Sequence, residues 1–141
     1  MSEAATETRQ LSNEEIGAAV RRIVAEALGR ADDEVKLASI LMDELGAESL
    51  DFLDIVFRLE REFDIQITRG EMERAARGDL SAEEFAPGGV ISERGLARLR
   101  ELMPEAAGRI GPGLRPSTIL TLFSVQTFAN MVIGKRDGRT V

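Results

Sequence analysis

The sequence predicts an all-α protein, and three observations carry that prediction. Apolar residues recur at three- and four-residue intervals along much of the chain. A Ser or Thr followed three residues later by Glu opens two of these runs, at Ser12-Asn13-Glu14-Glu15 and at Thr68-Arg69-Gly70-Glu71. Gly or Pro closes the runs, at Gly29, Gly78 and Pro104.

Residues 2–10 are small and polar, and residues 1–11 read as a disordered N-terminal tail. Ser12 caps the first helix, whose apolar stripe is Ile16, Val20, Ile23, Val24, Ala27 and Leu28, and Gly29 stops it. A polar connection covers 30–48, with a short apolar patch, Ile40-Leu41-Met42, that should tuck onto the core. The second helix runs from about Ser49 to Phe63 and is the clearest in the chain. Leu50, Phe52, Leu53, Ile55, Val56, Phe57, Leu59 and Phe63 give it more apolar surface than one buried stripe needs, so some of them should stay exposed. Asp64 ends it. Residues 69–116 are less regular. They hold a short helix to about Arg77, breaks at Gly78 and Pro87-Gly88-Gly89, and a helix capped by Ser92 with Leu96, Leu99, Leu102 and Met103 on one face. Residues 108–113 read as a loop. A helical turn follows from Pro116 through Leu120 and Leu122. Ser124 then caps a last helix with Val125, Phe128, Ala129, Val132 and Ile133, and residues 135–141 read as a basic tail.

Composition excludes several chemistries. The 141 residues include no Cys, His, Trp or Tyr. There is no thiol nucleophile, no imidazole base and no zinc–thiolate site. The net charge of −7 argues against a partner recognised through its phosphates, nucleic acid or anionic membrane alike. The acid is uneven: residues 1–68 carry 16 acidic and 7 basic side chains, while residues 69–141 carry 9 and 11. No apolar stretch approaches the roughly 18 residues of a membrane span. The first residues lack the basic and apolar regions of a signal peptide, so the cytoplasm is the expected compartment.

Three motifs fail. Gly46-Ala47-Glu48-Ser49-Leu50-Asp51 is not a nucleophile elbow, which needs Gly two residues on each side of the serine. Asp32-Asp33-Glu34 lacks the spacing and central Gly of a calcium loop. No Gly-rich run precedes Lys-Ser/Thr, so there is no P-loop. What survives is Ser49, in the first turn of the best helix and after the flexible Gly46-Ala47. Taken alone it reads as an N-cap serine. A helix N-terminus is also a good place for a phosphate, bound or covalently attached.

The stretch from Asp43-Glu44-Leu45-Gly46-Ala47-Glu48-Ser49-Leu50-Asp51 through Leu59-Glu60-Arg61-Glu62-Phe63-Asp64-Ile65 closely resembles the central segment of acyl carrier proteins. In that family a Leu-Gly-Ala/Gly-Asp-Ser-Leu sequence opens the second helix. Glu48 stands here where the family usually has Asp. Leu122-Phe123-Ser124-Val125-Gln126-Thr127-Phe128-Ala129 is similar, more weakly, to the segment before the family's last helix. The resemblance covers residues 12–68 and 117–134. It implies a four-helix bundle, spanning 12–134, with a partly helical insertion at 69–116 between the second and third helices.

The resemblance also implies a carrier and not an enzyme. Ser49 would bear 4′-phosphopantetheine, with Glu48 and Leu50 beside it, attached by a phosphopantetheinyl transferase. The missing thiol would come from that group. Asp51, Asp54, Glu60 and Glu62, with Glu48, would dock on basic patches of acyl-processing enzymes, and Leu50 and Phe57 would be apolar anchors. Phe52, Leu53, Ile55, Leu59, Ile67, Phe123 and Phe128 would line a space for the acyl chain, although such residues are equally what a helical core contains. The expected role is fatty-acid or related lipid synthesis by a monomer. The alternatives are a polyketide or peptidyl carrier, a helical interaction module without a prosthetic group, and a carboxylate hydrolase. On this reading, removing 69–116 should leave a folded helical protein.

Overall fold

A computed structural model of the chain describes residues 10–138. Residues 1–9 and 139–141, and with them most of the two expected tails, lie outside the described residues. Helices α1 (Asn13–Leu28), α2 (Leu41–Leu45), α3 (Ser49–Phe63), α4 (Arg69–Arg77), α5 (Ala82–Phe85), α6 (Glu93–Leu102) and α7 (Val125–Arg136) are joined by loops and short 3₁₀ turns. Among the described residues there is no strand; Ile40 and Ser124 form one isolated antiparallel bridge. The fold is the expected all-α bundle.

Local signals set the ends of α1 and α3. Ser12 Oγ accepts from the Glu15 amide at 3.1 Å, and Glu15 Oε1 accepts from the Ser12 amide at 3.0 Å. Two of the unpaired first-turn donors are thereby met. Gly29 closes α1 in the left-handed region at φ 65°. Asp64 does the same for α3 at φ 52°, a conformation that Asp tolerates better than most residues. The buried stripe Ile16, Val20, Ile23 and Val24 packs α1 on α3 and α7. Ile40 and Leu41 are buried as expected, and the patch continues into α2, a helix the sequence does not announce.

Helix α7 is buried nearly all round. Thr127, Met131 and Gly134 are covered as well as Val125, Phe128, Ala129 and Val132. Segment 69–116 faces it across a cleft, lined by Arg74, Ala75 and Gly78 of α4 and its C-cap, by Arg98 and Leu102 of α6, and by Thr127, Asn130 and Met131. Ala76, Phe85, Leu96, Leu99, Met103 and Ala106 belong to the same continuous core as Val20, Ile55 and Phe128. Segment 69–116 is therefore structural, and the expectation that it can be cut away without loss of fold is revised. The C-terminal boundary moves too, because α7 runs to Arg136 rather than stopping near Gly134. Lys135 pairs with Glu71 at 2.6 Å, and Arg136 donates to the Leu11 carbonyl at 2.8 Å. Leu11, assigned to the tail, packs against the core.

Candidate functional site

Ser49 is positioned from both sides of its helix start. Residues 37–41 are stitched to the beginning of α7: Leu41 N donates to the Phe123 carbonyl (3.0 Å), Val125 N to Ser39 (3.1 Å) and Gln126 N to Leu37 (2.8 Å). Helix α2 then ends at Gly46, whose φ of 70° is costly for any residue with a Cβ. Ala47 is buried and its amide donates to the Leu41 carbonyl (2.9 Å). Arg30 Nη2 donates to the Leu45 carbonyl (3.0 Å). Arg109 grips Asp43, with Nε at 2.8 Å from Oδ2. The last two contacts were not foreseen; neither arginine carries a local pattern that marks it.

The serine itself departs from the cap reading. Glu48 is the N-cap of α3 and Ser49 is its first helical residue, exposed to solvent. Asp51 Oδ2 accepts from the Glu48 amide at 2.7 Å and so fixes the cap. The Ser49 hydroxyl is thus spared the usual capping role. It stands at the positive end of a 15-residue helix, where first-turn amides lack intrahelical acceptors. These features fit a phosphate ester on Ser49: the oxygen is accessible, and the local dipole favours negative charge.

Below the serine, Phe52 turns inward. Its ring lies 5.8 Å from that of Phe128 and 6.4 Å from that of Phe123, and the latter two are 5.7 Å apart, edge to face. Ile55, Leu59 and Ile67 are buried in the same core. Leu53 is a correction. It was expected inside with these residues, yet it is 55% exposed, beside Leu50 at 75% and Phe57 at 60%. With Phe52, Ile55 and Leu59 facing the core, position 53 falls on the outer face, one turn from Leu50 and from Phe57. The three make one apolar strip leading away from Ser49.

The acidic residues around that strip differ in how tightly they are held. Asp54 pairs with Arg58 (3.0 Å), and Glu62 with Arg22 (3.2 Å), both part-exposed pairs. Such surface pairs are worth little and exchange easily. Asp51 and Glu60 are committed to backbone amides, Glu60 Oε2 accepting from Ile67 at 2.9 Å. Among the described residues no group of acidic side chains has a metal-binding arrangement, and no helix is long and apolar enough to cross a membrane.

The family model for the phosphopantetheine attachment site matches residues 18–76, somewhat under half of the chain. The match begins inside α1, contains the whole Ser49 site, and ends within α4, so it reaches into the segment first read as an insertion. Residues 18–76 are thus similar to the kind of domain to which 4′-phosphopantetheine is covalently joined. No solved structure matches the chain.

Proposed function

We propose, from the premise that residues 18–76 are similar to a phosphopantetheine-attachment domain, that Ser49 is the attachment residue and that the protein carries acyl groups, of fatty-acid type, between enzymes. The observation that carries this reading is the Ser49 hydroxyl: exposed, first in its helix, and relieved of capping by Glu48. A transferase would form the bond from Ser49 Oγ to the phosphorus of the phosphopantetheine part of coenzyme A. The pyrophosphate bond breaks, adenosine 3′,5′-diphosphate leaves, and the hydroxyl proton goes to the transferase or solvent. The attached arm supplies a thiol, which the chain's own residues lack.

The chain's contribution is placement and recognition. Helix α3 holds the phosphodiester at its positive end. Leu50, Leu53 and Phe57 offer an apolar strip to enzymes that dock there, and Asp54 and Glu62 can trade their weak pairs for a partner's Arg or Lys. Contacts of this kind speed encounter and leave complexes exchangeable, as a shuttle requires. The test is intact mass after incubation with coenzyme A and a promiscuous phosphopantetheinyl transferase. Wild type should gain one phosphopantetheine and Ser49→Ala none. A wild-type chain that gains nothing contradicts the proposal.

A further inference from the structure

Two of the acids nearest Ser49 have structural duties. Glu44 Oε1 accepts from the Ile40 amide (2.6 Å), and Asp51 Oδ2 accepts from the Glu48 amide. Asp43, in α2, is held differently. Its carboxylate meets a side chain, Arg109, that comes from near the far end of segment 69–116. Arg109 Nε and Nη2 both donate to Oδ2, and among the described residues Oδ1 accepts no hydrogen bond. A fixed turn delivers Arg109 to this place. It ends the 3₁₀ turn Pro104–Arg109, in which Ala106 is fully buried and Glu105 accepts from the hydroxyl of Ser124, the cap of α7. Arg100 Nη2 donates to the carbonyl of Ile110, the buried residue that follows (3.0 Å). The backbone that carries the cation is already ordered, so the pair forms with little chain entropy left to lose.

We propose that Asp43 is a further docking residue and that Arg109 masks it, so that a guanidinium of the partner enzyme must take the place Arg109 holds; the inference rests on the carrier reading above. Magnitude decides against the alternative, that Arg109 is there to hold the serine loop. The loop is held without it, by the bonds from Leu41 N to the Phe123 carbonyl, from Ala47 N to the Leu41 carbonyl and from Arg30 to the Leu45 carbonyl. The Arg109–Asp43 pair is part-exposed on both sides, and pairs of that kind add little to stability. What the pair does change is charge. One cation cancels one acid, three residues before the Gly46 turn that leads into Ser49. A basic partner steered toward this face therefore meets less negative potential than the sequence provides. The open Oδ1 lets an incoming Arg bind before Arg109 leaves, so the exchange passes through no bare carboxylate. Arg109 already shows the geometry such a partner would reproduce. Segment 69–116 thereby acts on docking from outside α3, the helix that carries the apolar strip and Asp54.

The test measures initial rates of phosphopantetheine transfer from coenzyme A to the full chain by the promiscuous transferase, at low ionic strength. If wild type is not modified at all, the carrier reading fails and this inference with it. With modification established, Arg109→Gln should lower the KM for the chain by about 2- to 5-fold, the range of an exposed ion pair, and leave kcat as it was. The gain should shrink at about 0.5 M salt, where surface charges are screened. Asp43→Asn should raise KM, and in that background Arg109→Gln should lose most of its effect. An unchanged or higher KM for Arg109→Gln overturns the mask. So does a fall of equal size with and without Asp43, which would make Arg109 one surface charge among others. A fall in kcat at constant KM would make Arg109 a support of the serine loop and overturn the proposal as well. Each of these results leaves the carrier reading intact. Arg109 is exposed, and matching circular dichroism spectra establish that its variant folds. Should it not fold, Asp43→Asn decides alone: a KM equal to that of wild type overturns the proposal.

Discussion

Replacing Phe52 by Ala removes a ring that touches both Phe123 and Phe128 in a closed core. The loss should be about 3–5 kcal/mol of unfolding free energy, read by urea denaturation. Leu53→Ala, one residue on, should fall within about 0.5 kcal/mol in the same measurement, because its side chain is largely in solvent. Equal losses would contradict the assignment of the two faces. Ser49 was legible because a specific motif surrounds it, and Leu50 and Phe57 because α3 carries more apolar residues than one stripe can bury. Leu53 was not legible, since its chemistry is that of its buried neighbours. Only the angular position relative to Phe52, Ile55 and Leu59 separates them. The arginines that grip the serine loop, Arg30 and Arg109, act across the fold and leave no local trace.

At the scale of elements, caps and spacing announced α1, α3, α4, α6 and α7, and the structure places helices there. The five-residue α2 and four-residue α5 were missed because neither is long enough to show a period. Two predictions belong to the helices of segment 69–116. Gly95 of α6 has no room for a side chain: an added Cβ would lie 2.8 Å from the Phe85 carbonyl oxygen and 2.7 Å from Ile91 Cγ2. Gly95→Ala should therefore lower the melting temperature despite the better helix propensity of Ala, and a rise would show that α5 and α6 can slide apart. The second concerns Glu84, whose carboxyl is held below its ordinary value of 4.5, chiefly because it accepts from the Ser81 amide. A carboxyl lowered by folding stabilises above its unfolded pKa and loses that effect as pH falls through the folded value. The melting temperature of wild type should thus exceed that of Glu84→Gln near neutrality, and the gap should close as the solution is acidified. A gap that widens in acid would reverse the assignment.

The whole molecule holds together through one core rather than a bundle with an ornament. The sequence suggested an ornament because 69–116 lies outside the recognisable stretches and has its own breaks at Gly78 and Pro87-Gly88-Gly89. What it could not show is the second face of α7, where Thr127, Met131 and Gly134 are buried and share a cleft with residues of α4 and α6. Contacts between residues distant in sequence have no periodic signature on one of the partners alone. Removing 69–116 and rejoining the flanks should consequently abolish a sharp cooperative melt, followed by circular dichroism. A shortened chain that melts as sharply as the parent would restore the ornament view. Charge follows a similar division. The acidic excess sits in residues 1–68, which include the serine helix, and the near-balanced remainder contributes Arg109 to the grip on Asp43.

On the proposed function, Ser49 is the residue that receives the arm. The most direct test is to treat the full chain with coenzyme A and a promiscuous transferase, digest it, and locate the added phosphopantetheine by tandem mass spectrometry. A single modified residue, Ser49, is the expected result. Attachment at another hydroxyl, such as Ser39 or Ser92, or no attachment at all, would contradict it.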